Sequence, residues 1–229
     1  MNLEKMVQLI IDSMPWPDPE ITKDNTAILL VDMQQSSSAD AVAEMGVAVG
    51  VPRDEAEKAV APLRARFDSA IANAAKVLDA CRAKGMLVAH CRVQCYTEDG
   101  RDCSLLYKMF GMKEPPGSPG TEWIDDSIAP VEYEVVMPKT CSSFFNGTSI
   151  DTVLKNAGIK YTIIVGFYTE QCIQATARDS ADRSYYTIVV SDAVETVTEE
   201  RQRSGLEMID KLYVKCMTTE EVVGLIDRA

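Results

Sequence analysis

Five short, largely apolar runs recur along the chain, most followed by a stretch of helical pattern, and this alternation constrains the fold more than any other feature. The runs are Thr26–Val31, Met86–His90, Glu134–Met137, Tyr161–Val165 and Tyr186–Val190. A continuous apolar run bounded by turn residues suits a strand buried on both faces, as in the middle of a parallel sheet. Helical patterns follow at 54–84, 148–157, 170–183 and 199–210, with a short sixth strand near 212–215 and a last helix from Thr219. Parallel strands joined by helical crossovers give an α/β fold, a three-layer α/β/α sandwich. Residues 3–13 read as a short helix that Pro15-Trp16-Pro17-Asp18-Pro19 cannot continue. Residues 36–53 are small, polar and Gly-containing, and read as a loop. Pro62 marks a break or kink, Pro138 stops the third strand, and Thr148 with Asp151 reads as a capping box. The segment 91–129 is loop-rich around Pro115-Pro116-Gly117-Ser118-Pro119-Gly120, and an irregular connection of that length is usually functional. With 229 residues, a single domain over 1–229 is expected, with an N-terminal extension at 1–25.

The formal charge of −12 sets the chain against nucleic acid and anionic membrane surfaces, because no Lys/Arg run offers a local exception. No segment approaches the roughly 18 uninterrupted apolar residues of a membrane span. The N-terminus carries acids early and lacks a signal-peptide pattern, so a cytoplasmic protein is expected. Seven irregularly spaced cysteines are then thiols. A single histidine leaves no multi-imidazole metal site, and no metal is expected.

The clearest chemical signal is Gly166-Phe167-Tyr168-Thr169-Glu170-Gln171-Cys172. A buried strand runs into a glycine turn, and a cysteine follows in the first turn of the next helix. Free N–H groups and the helix dipole there favour a thiolate and can receive an oxyanion. A free cysteine is also a common core filler, and its position after strand and turn is what favours a nucleophile. A nucleophilic thiol needs a base or a cation. His90, Asp32 and Lys139 are the candidates, each at the end of a strand, on the rim where open α/β sheets build their sites. Lys139 would stabilise the thiolate and Asp32 would exchange protons. Taken singly, a loop lysine and a turn-capping aspartate are the ordinary explanations. Convergence on one rim favours catalysis.

Three separated motifs carry a family resemblance: Val31-Asp32-Met33-Gln34; Pro138-Lys139-Thr140 with Ser142-Ser143-Phe144; and Gly166 to Cys172 with Thr176-Ala177-Arg178-Asp179. Their order and spacing resemble the isochorismatase-like cysteine hydrolases from about Thr26 to Val190. The resemblance implies a six-stranded, mainly parallel sheet covered by helices on both faces. It implies a catalytic triad of Asp32, Lys139 and Cys172, a cis peptide at Phe167–Tyr168, and an oxyanion hole from the backbone N–H groups of Tyr168 and Cys172. A homodimer or homotetramer without a cofactor is also implied. The chain departs from the family pattern at Gln35-Ser36-Ser37 and at Ser184, where glycine is usual. Nicotinamidases of the family hold a metal with Asp and His, which one histidine cannot supply.

Asp99 to Ser104 through Tyr107-Lys108, with the Trp-Pro segment before Asp32, resemble the branch of biuret hydrolases and carbamoyl or ureido amidohydrolases. Substrate contacts are expected from His90, Arg92, Phe144 and Tyr168. Arg92 would grip a carboxylate or serve as an ordinary surface charge, and core packing is the competing role for the aromatics. The expected function is therefore cysteine-dependent cleavage of a C–N bond in a small amide, carbamoyl or ureido compound through a covalent thioester. Two alternatives remain. Vinyl-ether hydrolysis of the isochorismatase kind would need Asp32 but no thiol, and a non-catalytic binding protein would need neither.

Overall fold

The computed structural model describes residues 1–229. Six strands form one sheet: β1 (Thr26–Val31), β2 (Leu87–Val93), β3 (Val135–Lys139), β4 (Tyr161–Phe167), β5 (Tyr186–Glu195) and β6 (Lys215–Met217). Their spatial order is β3-β2-β1-β4-β5-β6 and every pairing is parallel. The order reverses between β1 and β4, which leaves a crevice at their carboxyl ends.

Eight helices accompany the sheet: α1 (Leu3–Asp12), α2 (Ala39–Ala48), α3 (Arg53–Lys84), α4 (Leu105–Met109), α5 (Ile150–Asn156), α6 (Gln174–Asp182), α7 (Glu199–Glu207) and α8 (Thr219–Asp227). Alternate strand residues feed two cores. Ile28, Leu30, Ile163 and Val165 pack against Phe67, Leu78, Val222 and Ile226 from α3 and α8. Ala27, Leu29, Val31 and Ile164 pack against Ile150, Leu154 and Ala177 from α5 and α6. The three-layer sandwich follows from that period of two between helical layers.

Several elements differ from the pattern read in sequence. Residues 39–48 are helical, not loop. Ser38 caps the helix by accepting from the Ala41 N–H at 3.1 Å, and its small residues Ala39 and Ala43 are buried, Ala43 in a cluster with Ala56 and Val60 of α3. α3 runs unbroken through Pro62, which lies on the solvent side where water can satisfy the freed carbonyl. Pro138 lies inside β3, tolerated because β3 is an edge strand. The Thr148 hydroxyl accepts from Ile150 N–H at 3.2 Å, but Asp151 pairs with Lys155 and Tyr185 instead of completing a capping box. β6 begins at Lys215, where the expected short strand ends. In the N-terminal extension, α1 buries no residue. The chain after it is held by Trp16 Nε1 donating to the Lys211 carbonyl at 2.7 Å.

Candidate active site

Asp32 directly follows β1 with φ 54°, a left-handed conformation that few non-glycine residues adopt. Its N–H donates to the Cys91 carbonyl at 3.0 Å, so the turn is held by the neighbouring strand. On the other side, Gly166 has φ 126°, and a Cβ there would lie 2.0 Å from the Val31 carbonyl oxygen. Only glycine lets β4 approach β1 this closely at the point where Asp32 leaves it. Lys139 is the last residue of β3 and shares a face with Val135 and Met137. Cys172 lies in a widened, π-type turn, Thr169–Ile173, that leads into α6. The regular helix starts only at Gln174, so the thiol is not in the first turn of an ordinary α-helix. The Phe167–Tyr168 peptide bond is cis.

The three residues meet. Lys139 Nζ is 2.7 Å from Asp32 Oδ2 and 3.4 Å from Cys172 Sγ, and it donates to the Cys141 carbonyl at 3.0 Å. Asp32 and Lys139 are each 1% exposed and Cys172 is 6% exposed. Burial raises the Asp32 carboxyl above its ordinary value, against the pull of Lys139. Burial also works against the Lys139 charge, but the charge of Asp32 beside it opposes that, and the Lys139 pKa stands well above normal. Burial pushes the Cys172 thiol up to about 12, with Lys139 opposing and Asp32 adding to the rise. Helix-start activation does not make a resting thiolate here. Burial thus favours the thiol over the thiolate, with the Asp32 carboxyl and the Lys139 amine held beside it.

Tyr107 of α4 joins this group, and the sequence pattern did not single it out as a site residue. Its hydroxyl is 3.2 Å from Lys139 Nζ and 3.6 Å from Cys172 Sγ, and the residue is 3% exposed. The segment around it has no periodicity, so only its position in the long connection and the weaker branch resemblance marked it.

The expected substrate contacts are dispersed. His90 lies within β2, which runs on to Val93, and its side chain shares the face of Val88, opposite Cys91. It is fully buried, with Nε2 3.0 Å from Glu134 Oε2 and its ring edge-on to Trp123, and burial lowers its pKa to about 4. His90 is therefore a core residue away from the thiol, not its partner. Arg92 is on that same face, half-buried, donating to the Thr121 carbonyl at 3.0 Å and lying over the Trp123 ring. Phe144 is wholly buried in the cluster that contains Cys172, and its N–H donates to Thr176 Oγ1. Tyr168 packs on Phe67 and donates its hydroxyl to the Ser37 carbonyl at 3.1 Å, so the divergent Gln35-Ser36-Ser37 segment is a wall next to the site. Gln34 is buried and binds both backbone groups of Val93 and the Gly120 carbonyl, tying β1 to β2 and the loop. A surface hollow of about 590 Å³ is lined by Tyr96, Glu98 and Pro115–Ser118 and touches none of the triad. No three His, Cys, Asp or Glu side chains gather where they could hold a metal ion.

The isochorismatase domain profile matches residues 26–221. The chain belongs to the isochorismatase family. Among its relatives, a ureidoacrylate amidohydrolase RutB from Agrobacterium fabrum is 27% identical, with 93% of this chain and 95% of that protein aligned. An N-carbamoylsarcosine amidase from an Arthrobacter species is 26% identical over 70% of this chain and 62% of its own. A probable inactive nicotinamidase from Arabidopsis thaliana is 27% identical over 86% of this chain and 94% of its own. The crystal structure of a cysteine hydrolase from Pseudomonas syringae superposes with a TM-score of 0.76 at 25% identity, covering 94% of this chain and 99% of that one. This isochorismatase-family protein is accordingly a hydrolase with the family's six-stranded parallel sheet.

Proposed function

We propose that this hydrolase cleaves the C–N bond of a small carbamoyl or ureido compound through a covalent Cys172 intermediate. The observation that carries the reading is the Lys139 ammonium, held by buried Asp32 and within 3.4 Å of Cys172 Sγ. Asp32, whose proton affinity burial has raised, takes the thiol proton as sulfur attacks the carbonyl. Lys139 balances the negative charge on sulfur, and the N–H groups of Tyr168 and Cys172 receive the oxyanion. Collapse of the tetrahedral adduct breaks the C–N bond, and Asp32 returns its proton to the departing nitrogen. Water, deprotonated by Asp32, then releases the acid and restores the thiol. The names of the ureidoacrylate amidohydrolase and the N-carbamoylsarcosine amidase support a ureido or N-carbamoyl substrate. Leu105, Leu106, Met109 and Phe110 expose apolar surface on and next to α4, which suits assembly into a homo-oligomer.

The test is ammonia release from a panel of amides, N-carbamoyl amino acids and ureides, with wild type and Cys172→Ala side by side. Release by wild type alone supports the reading. Undiminished ammonia release by Cys172→Ala would rule out the covalent thiol intermediate.

A further inference from the structure

We infer that Tyr107 is a fourth catalytic residue, whose hydroxyl donates a hydrogen bond to Cys172 sulfur and stabilises the attacking thiolate. The inference rests on the cysteine-hydrolase reading above and adds a residue to it. It follows from counting protons. The Lys139 ammonium has three donors and no lone pair; Asp32 and the Cys141 carbonyl take two, and the third goes to Tyr107 Oη at 3.2 Å, nearer than the Cys172 sulfur at 3.4 Å. The hydroxyl keeps one proton, and the sulfur at 3.6 Å is the remaining partner in reach. With Asp32 as acceptor of the thiol proton in the reading above, the sulfur lone pairs are left for Tyr107. The sulfur then faces one fixed hydrogen-bond donor, Tyr107, and the ammonium charge of Lys139 at 3.4 Å, before any charge has developed on it. Donors placed in advance cost no reorganisation when that charge appears.

The surroundings fix the hydroxyl. Ser104 Oγ caps α4 through the Tyr107 N–H at 3.3 Å, and the Ser104 N–H donates to the Thr140 carbonyl, one residue beyond Lys139. The Tyr107 ring packs in a small buried cluster with Val93, Cys95 and Cys103, and its carbonyl accepts from the Met112 N–H at 2.9 Å. Phenylalanine would fill that space equally well, so the hydroxyl needs a reason other than packing. Burial holds the phenol far above its ordinary pKa, which keeps it a donor. The other titratable groups around the sulfur are Asp32, Lys139, Cys91 and the Tyr168 phenol. Of these only Lys139 favours the thiolate, so Tyr107 is its one neutral ally.

The experiment compares wild type, Tyr107→Phe and protein carrying 3-fluorotyrosine at position 107, whose hydroxyl is the stronger donor. Iodoacetamide modification of Cys172 is followed by peptide mass spectrometry against pH, together with kcat and KM for ammonia release. For Tyr107→Phe the alkylation rate at each pH is expected to fall about tenfold, kcat to fall about tenfold or more, and KM to stay within about twofold. The fluorinated protein, which keeps the ring and its packing, should alkylate at least as fast as wild type. An unchanged alkylation curve in Tyr107→Phe would overturn the inference whatever happens to turnover. So would faster turnover, because Tyr107 would then be a plug. If wild type shows no selective reaction at Cys172, the cysteine reading itself fails and Tyr107 loses its role with it.

Discussion

Lys139 Nζ meets Asp32 Oδ2 at 2.7 Å in a place where neither side chain is more than 2% exposed. Each charge there is tolerable only because of the other, since removing one partner of a buried pair leaves an uncompensated charge. Lys139→Ala is therefore expected to cost about 3–5 kcal/mol in urea unfolding and at least about 100-fold in turnover. Lys139→Arg restores the charge with a longer, planar group and should recover little activity. Asp32→Asn should differ in kind. Asp32 raises the Cys172 pKa, so the variant should alkylate faster than wild type and yet fail to turn over for want of a proton acceptor. Equal alkylation curves for Lys139→Ala and wild type would make Lys139 an ordinary lysine.

Cys172→Ser and Cys172→Ala are expected to abolish ammonia release with the circular dichroism spectrum unchanged. The thiol is 6% exposed at the junction of the π-type turn and α6, so a slightly smaller side chain is accommodated. A variant with near-wild-type turnover would remove the thiol from the mechanism.

His90 makes folding sensitive to mild acid. Its pKa falls from about 6.5 in the unfolded chain to about 4 when folded, mainly through burial. Between those values the unfolded chain binds a proton that the folded protein does not, so stability drops as the pH is lowered from 6.5 to 4. His90→Gln should flatten the dependence of urea midpoint on pH across that window. An identical slope in the variant would place the acid sensitivity elsewhere.

Ser184 follows α6 with φ 70°, a left-handed residue where helices commonly end in glycine. Ser184→Gly should stabilise the fold by about 0.5–1 kcal/mol by relieving that conformation, partly offset by a freer unfolded chain. A lowered melting temperature would show that the Ser184 side chain contributes something its backbone angle does not reveal.

Activity is expected to withstand exhaustive chelation. The one histidine is buried against Glu134, and no cluster of three donor side chains exists to gather a metal ion. Loss of turnover in chelator, restored by added zinc, would contradict the thiol mechanism as drawn.

The residues that read correctly in the sequence are those governed by local physics. Apolar runs ending in Asp32 and leading to Gly166 mark central strands, because a strand with helices on both faces must be apolar throughout. Parallel crossovers then send strand ends to one rim, so the order of elements in the sequence already brings Asp32, Lys139 and Cys172 to the same edge. His90 lies off the rim that its sequence position suggests, because facing depends on where a strand stops. β2 continues three residues further, and the period of two puts His90 with Val88 in the other core. α2 is not legible in the sequence because Ala and Gly carry no amphipathic signal, and only packing on α3 orders them. Two things belonged to the tertiary structure alone. Burial, a property of the assembled core, keeps Cys172 a thiol where local helix logic made it a thiolate. And Tyr107, 32 residues before Lys139 and 65 before Cys172, reaches both only because the long connection folds back over the strand ends.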